Sequence, residues 1–384
     1  MSGVFDRLPR WMDEELVQFD ESVRRILAAH ASPDRLEQWR ADGIVAREAW
    51  QEMAGAGLLG LSIAPEYGGA GGDFRHEAVL IRRLGLVGAE GWGVPLHNAI
   101  VAPYIERYGT AEQRERWLPR MISGELIGAI AMTEPGAGSD LRGLRTLART
   151  DGDDYRLTGQ KTFVTNGQHA NLILVVARTG AEGFSLMAVE TADAPGFQRG
   201  RNLDKVGLEM GDTSELFFDD VPVPAANLIG GEEGQGLRQL MIELPKERLM
   251  IALESLAIME SALAHTLDYV RQRQAFGKRL LDFQNTQFRL AECKTEALVA
   301  RAFIDECVEL QVRGELDATR ASMAKLWASE RAQRVVDSCQ QLFGGYGYMN
   351  EYPIARLYKD VRVKRIYGGA SEIMKILIAR SLEQ

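Results

Sequence analysis

The chain reads as a multidomain α+β protein: a helical N-terminal domain, a small central β-barrel or sandwich, and a C-terminal four-helix bundle. Three observations predict this. Up to about residue 125, apolar residues recur at helical spacing. From about Ile127 to Ile229, short β-type runs alternate with turn signals. From Gly236 the helical period returns. The limits that follow are 1–125, 126–235 and 236–384, and 384 residues are enough for three such units.

Each element has its own signal. Glu14 to Ala29 carries Leu16, Phe19, Val23, Ile26 and Leu27 on one helical stripe. Arg47 to Gly60 reads as a short helix, and the Gly-rich stretch ending at Asp73 as a connection. Thr110 followed by Gln113 caps a helix running to Ser123. Tyr155–Thr158, Lys161–Thr165, Leu172–Ala177 and Phe184–Val189 are the clearest strands. Asp151-Gly152, Asn166-Gly167 and Gly211-Asp212 mark turns. Three stripes then follow: Leu249 to Val270, Leu290 to Cys307, and Ala321 to Leu342. With the tail helix they make the bundle.

Composition narrows the function. A net charge of -9 argues against a nucleic-acid surface, which needs clustered Lys and Arg. The opening residues include acidic side chains and lack a long apolar stretch, so a secretory signal is not expected. No run approaches the ~18 apolar residues of a membrane span. Cys293, Cys307 and Cys339 read as buried free thiols of a reducing compartment, the cytoplasm. The His residues at 30, 76, 97, 169 and 265 form no HExxH or Cys/His ligand spacing, so no metal site is expected. No Gly-x-Ser-x-Gly elbow supports a serine hydrolase.

Four segments carry chemistry. In AMTEPGAGSD, Ala131 to Asp140, Gly136 and Gly138 let backbone approach a ligand, while Thr133 and Ser139 offer hydroxyls. It is no dinucleotide fingerprint, because Leu141 stands where a third Gly is needed; Phe74 fails Gly69 and Gly71 likewise. KTFVTNG, Lys161 to Gly167, presents an aromatic ring between hydroxyls. RQAFGKRLLDFQ, Arg273 to Gln284, places an Arg fork suited to phosphate; it also reads as a helix C-terminus capped by Gly277. The tail, Gln341 to Leu382, holds QLFGG and Tyr367-Gly368-Gly369-Ala370.

Together these segments resemble the acyl-CoA dehydrogenase family over nearly the whole chain. The resemblance implies FAD as cofactor, with Met132, Thr133, Phe163 and Thr165 on its flavin side and Ser139 reaching its pyrophosphate or the CoA arm. It implies that Arg273, Phe276 and Gln284 reach across a dimer interface to the neighbour's FAD. It implies that Gln341, Gly344 and Gly345 form the adenine-side loop. It implies substrate contacts at Ser139, Arg248 and Gly369. It implies further that electrons pass to an electron-transfer flavoprotein and that the assembly is a dimer-based tetramer. Ala370 lacks the family's hydroxyl, and Glu372 cannot donate as the family's Gln does.

The tail loop departs from the common Tyr-Glu-Gly-Thr, whose Glu is the base in many members; Gly368 cannot serve. Taken alone, Glu247 is a first-turn glutamate after Pro245, worth ~0.3–1 kcal/mol against the helix dipole. Glu-Leu-Pro-x-Glu-Arg-Leu, however, is similar to the long-chain subgroup, which carries its base on this helix and also lacks the tail Glu. The resemblance thus implies Glu247 as base, Arg248 as its neighbour, and a trans-2-enoyl-CoA product. Gly368 would remove bulk near the reacting carbons, leaving room for branched or ringed acyl groups. Two other readings stay open: a flavin monooxygenase or oxidase using O2, and a non-enzymatic acyl-CoA-binding partner.

Overall fold

A computed structural model describes residues 8–180 and 183–383. Met1 to Arg7, the beginning of the segment read as lacking a signal, lie outside the described residues, as does Gln384. Helices come first: α1 (Glu14–His30), α2 (Pro33–Asp42), α3 (Arg47–Gly55), α4 (Phe74–Val87), α5 (Val94–Leu96), a π-helical turn (His97–Val101), α6 (Ala102–Tyr108) and α7 (Ala111–Ile122). Strands β1 (Gly128–Ala131), β2 (Leu147–Asp151), β3 (Asp154–Thr165), β4 (Leu172–Thr179), β5 (Gly183–Glu190), β6 (Phe197–Asn202) and β7 (Thr213–Val223) follow. Then come α8 (Gly236–Gln272), the hairpin β8 (Gln274–Ala275) and β9 (Lys278–Arg279), α9 (Gln284–Arg313), α10 (Ala318–Phe343), α11 (Pro353–Val361) and α12 (Ser371–Arg380).

The caps follow the sequence. Asp13 accepts from the Leu16 N–H, and Thr110 with Gln113 forms the expected capping box on α7. The helix expected over Arg47–Gly60 stops at Gly55. Gly57 sits at φ 71°, and the Leu58 N–H returns to the Met53 carbonyl, which closes the turn. The two runs Tyr155–Thr158 and Lys161–Thr165 are one strand, β3, interrupted by register shifts.

The strands make one connected seven-stranded sheet in the order β1-β4-β2-β3-β7-β6, with β5 on the outer edge of β4. It curls around an interior of Ala129, Leu157, Ile173, Val175, Met187, Leu216 and Val221. The alternate residues Leu172, Leu174 and Val176 point outward onto Tyr104 and Ile105 of α6 and Trp117 and Leu118 of α7. Strand β4 is therefore apolar on both faces, because one face fills the curl and the other docks the helices.

The third unit is built on α8 and α10, which run parallel. Arg248, a third of the way along α8, meets Ser322 near the start of α10, and Tyr269 stacks on Phe343, ring centroids 4.2 Å apart, near the ends of both. Helices α9, α11 and α12 pack around α10, and α4 lies against α8, with Gly85 facing Ala257 where a Cβ would crowd it. Contrary to the sequence expectation, α8 does reach the length and apolar content of a membrane span; 83% of that window is buried in the protein, so it reads as a core helix. Cys293, Cys307 and Cys339 are free and buried on α9 and α10.

Candidate active site

Glu247 does not occupy a first helical turn. Helix α8 begins at Gly236, and Pro245 lies inside it, so the dipole reading of Glu247 falls away. The residue is 5% exposed. Its Oε1 accepts a hydrogen bond from the Tyr104 hydroxyl at 3.0 Å. Burial pushes its carboxyl up to about 7, against the lowering pull of Tyr104, Lys246 and Arg248, and Glu243 adds to the upward push. A carboxylate poised there exchanges protons readily near neutral pH.

The tail loop closes on the same stretch of α8. Ile251 stands one turn beyond Glu247. A Cβ on Gly368, whose φ is +61°, would overlap Ile251 Cδ1. The space expected to be free at Gly368 is thus filled by Ile251, and no extra room for a bulky acyl group opens there. A second turn on, Glu254 accepts from Lys364 Nζ at 2.6 Å and from Tyr367 OH at 2.9 Å. Lys325 Nζ donates to the Gly369 carbonyl at 2.6 Å, which fixes the loop from α10. Arg248 is buried, reaching Ser322 Oγ at 3.4 Å, and its Nε has no partner among the described residues. The group that holds the Glu247 carboxylate is therefore Tyr104, which sequence reading missed; nothing local marks a tyrosine 143 residues away.

The two β-side motifs are clasped together. Lys161, fully buried, donates to the Met132 carbonyl and to Glu134 Oε1, both at 2.9 Å, and the Thr162 N–H donates to the Thr133 carbonyl at 2.9 Å. Glu134 also accepts from the backbone N–H groups of Arg145 and Thr146. This clasp sets Met132 and Thr133 beside Phe163 and Thr165. Phe163 takes φ 58° yet is 68% exposed, a strained backbone presenting an uncovered ring. Ser139 is exposed, and a Cβ on Gly136 would meet nothing within 4 Å, so backbone there is open to a ligand.

The remaining predicted cofactor residues lie at the far end of α8. Arg273, Gln341, Gly344 and Gly345 share a cavity of about 640 Å³ with Tyr269 and Tyr346, and the Arg273 guanidinium lies 5.7 Å from the Tyr346 ring. Gly277 is not a helix cap: α8 ends at Gln272, and Phe276-Gly277 turn the β8–β9 hairpin. Phe276 sits at φ 50° and is 97% exposed. Neither it nor Gln284, exposed at the start of α9, lines the cavity. Arg273 follows Glu247 by 26 residues, about 39 Å at 1.5 Å per residue. Glu247 and the Arg273 cavity are therefore separate places on one chain.

Both places suit a flavin dinucleotide. An exposed ring beside two threonines fits a flat isoalloxazine, and an Arg fork over a Gly-Gly loop fits phosphate and adenine.

The chain matches the family models "Acyl-CoA dehydrogenase, N-terminal domain" over residues 13–125, "middle domain" over 129–221 and "C-terminal domain" over 234–383. It is 49% identical to the long-chain specific acyl-CoA dehydrogenase of Rattus norvegicus over 370 residues, 95% of this chain and 85% of the relative. The crystal structure of an acyl-CoA dehydrogenase from Geobacillus kaustophilus superposes with TM-score 0.95 at 47% identity, covering 98% of this chain and 100% of that one. A glutaryl-CoA dehydrogenase from Mycobacterium smegmatis in complex with FADH2 superposes with TM-score 0.91 at 29% identity, covering 97% and 95%. The chain therefore belongs to the acyl-CoA dehydrogenase family, as an oxidoreductase that uses FAD to dehydrogenate an acyl-CoA.

Proposed function

We propose that Glu247 is the base that removes the Cα proton of an acyl-CoA thioester, giving a trans-2-enoyl-CoA. The observation that carries this is a buried carboxyl raised to about 7, on the helix face that meets the tail loop where a base is missing. FAD supplies the hydride acceptor, its N5, for the hydrogen leaving Cβ. The chain's own residues do the rest. Glu247 takes the proton, while Gly369 and Arg248 with Ser139 hold the thioester and its CoA arm. Burial around Glu247 keeps water from the carboxylate. Met132, Thr133, Phe163 and Thr165 would hold the flavin ring, and Ser139 its phosphate side.

Arg273, Phe276, Gln284, Gln341, Gly344 and Gly345 serve the FAD of a second copy. What supports this is the ~39 Å of helix rise between Glu247 and Arg273, which places the Arg273 cavity far from the base of the same chain. A homotetramer, a dimer of dimers, satisfies this pairing. The domain limits 1–125, 126–235 and 236–384 follow the change from helices to strands and back. An electron-transfer flavoprotein takes the electrons, and the kinship to long-chain enzymes favours medium to long acyl chains in β-oxidation. Three free thiols suit a reducing compartment, the cytoplasm.

The test is anaerobic flavin bleaching. Acyl-CoA bleaches the holoenzyme, and Glu247→Gln retains FAD but does not bleach. Bleaching of that variant at the rate of the unsubstituted enzyme overturns the assignment of the base.

A further inference from the structure

Glu247 has one hydrogen bond among the described residues, from Tyr104, and that tyrosine is held with little freedom. Its exposure is 0%, its ring packs with the helix-facing side of the sheet, and its helix enters through the π turn His97–Val101. That turn is pinned on both sides. His97 Nδ1 accepts from the Gly128 N–H of β1 at 3.0 Å, and Nε2 lies 3.2 Å from the Met121 carbonyl of α7. Asn98 Nδ2 donates to the Leu58 carbonyl at 2.8 Å. A wide helical turn anchored at this point sets which side chains of α6 face α8.

We infer that Tyr104 is the positioning residue of the base: its hydroxyl holds Glu247 Oε1 and leaves Oε2 as the oxygen that receives the substrate proton. This rests on the reading of Glu247 as base. The donation is one-way. Burial and the nearby carboxylates Glu247 and Glu243 keep the Tyr104 phenol from ionising, so it always offers its proton to the carboxylate. The other charged groups around Glu247 are Glu243, Lys246 and Arg248 on its own helix. The tail loop's Tyr367 is engaged by Glu254 and Lys364, and Lys325 of α10 is engaged by Gly369. None of these donates a hydrogen bond to the Glu247 carboxylate.

The sign of the effect follows. A hydrogen bond to the anion favours the anion. Tyr104→Phe deletes it, so the carboxylate ionises at higher pH. The acid limb of the single-turnover bleaching rate moves up by about one pH unit, making the variant about fivefold slower at pH 7. The rate recovers toward that of the unsubstituted enzyme near pH 9.

The experiment measures that limb in holoenzyme carrying Tyr104→Phe, with Tyr108→Phe as comparison and flavin content recorded for each. Tyr108→Phe is expected to leave the midpoint within a few tenths of a unit. As a fold-preserving counterpart, 3-fluorotyrosine is incorporated in the Tyr108→Phe background. Fluorine makes the Tyr104 phenol a stronger donor at nearly the same size, and the midpoint is expected to move down. A Tyr104→Phe loss equal at every pH, an unmoved midpoint, or no downward shift with the fluorinated ring overturns the inference. Those results are distinct from failure of the base assignment, which shows only as bleaching of Glu247→Gln.

Discussion

Helices α6 and α8 meet through the same pair of side chains twice, and the two copies have opposite electrostatics. Tyr104 donates to Glu247 at 3.0 Å, and one turn away Tyr108 donates to Glu243 at 2.9 Å. Both glutamates are buried. At Glu243 burial pushes the carboxyl up, but Lys246, Tyr108 and Arg107 outweigh it and hold the group below its ordinary range. Arg107 Nη1 lies 2.9 Å from Oε1, and Lys246 Nζ lies 3.0 Å from Oε2. Glu247 has no ion pair among the described residues, and its carboxyl rises to about 7. Burial and a tyrosine are common to both rungs. Direct contact with cations separates the structural acid from the carboxyl proposed as base.

The largest test of that contrast is on rate. A positioned general base contributes roughly 10²–10⁴-fold, so Glu247→Gln should cut the single-turnover bleaching rate by about that factor. Glu243→Gln, which changes the structural rung, should keep most of the rate at pH 8. Stopped-flow absorbance of the bound flavin checks both.

Next comes stability, where the two rungs should move in opposite directions. Glu247 has a folded pKa raised above its unfolded value. Its stabilising contribution is therefore complete below about pH 4.5 and is lost as pH rises through about 7. Glu247→Gln should then raise stability at pH 8 by about 2–3 kcal/mol and change little at pH 5. Glu243 has a depressed folded pKa, so its contribution is present above the unfolded value and is lost in acid. Glu243→Gln should cost about 1–2 kcal/mol at pH 8, discounted because Arg107 is largely exposed. Thermal midpoints of the two variants at both pH values decide this. A stabilised Glu243→Gln would erase the contrast.

The smallest effect is a fine adjustment of the base through its neighbours. Lys246 lowers the Glu247 pKa and Glu243 raises it. Lys246→Met should shift the acid limb of the bleaching rate upward, and Glu243→Gln should shift it downward, each by a few tenths of a pH unit to about one unit. Shifts of the same sign would show that the rungs do not communicate through charge.

How much of this was legible in the sequence follows the range of each interaction. The helical stripes on α8, α9 and α10, the capping box at Thr110 and the strands β4 and β5 are encoded locally, and they fold as expected. Glu247 was reached through the Glu-Leu-Pro-x-Glu-Arg-Leu string, although its place eleven residues inside α8 was not, because Pro245 suggested a start that lies at Gly236. Tyr104, Lys161 and Glu134 act through contacts that no local pattern announces. The buried Lys161–Glu134 pair joins residues far apart in the chain, and each alone reads as an ordinary charged side chain. Ile251 at the Gly368 position was hidden for the same reason: filling a gap is a property of packing, not of spacing.

The parallel pair α8 and α10 is joined by side-chain contacts at two levels, with the proposed base toward one and the proposed phosphate fork toward the other. On the proposal that Arg273 serves a second copy's cofactor, damage to either end is shared out unevenly in a mixed assembly. A chain carrying Glu247→Gln and a chain carrying Arg273→Ala should each be nearly inactive in pure form. Unfolded together and reassembled, they form mixed dimers in which one site inherits both lesions and the other inherits neither. The mixture should regain about a quarter of the activity of the intact enzyme, since random pairing makes half the dimers mixed and each holds one sound site.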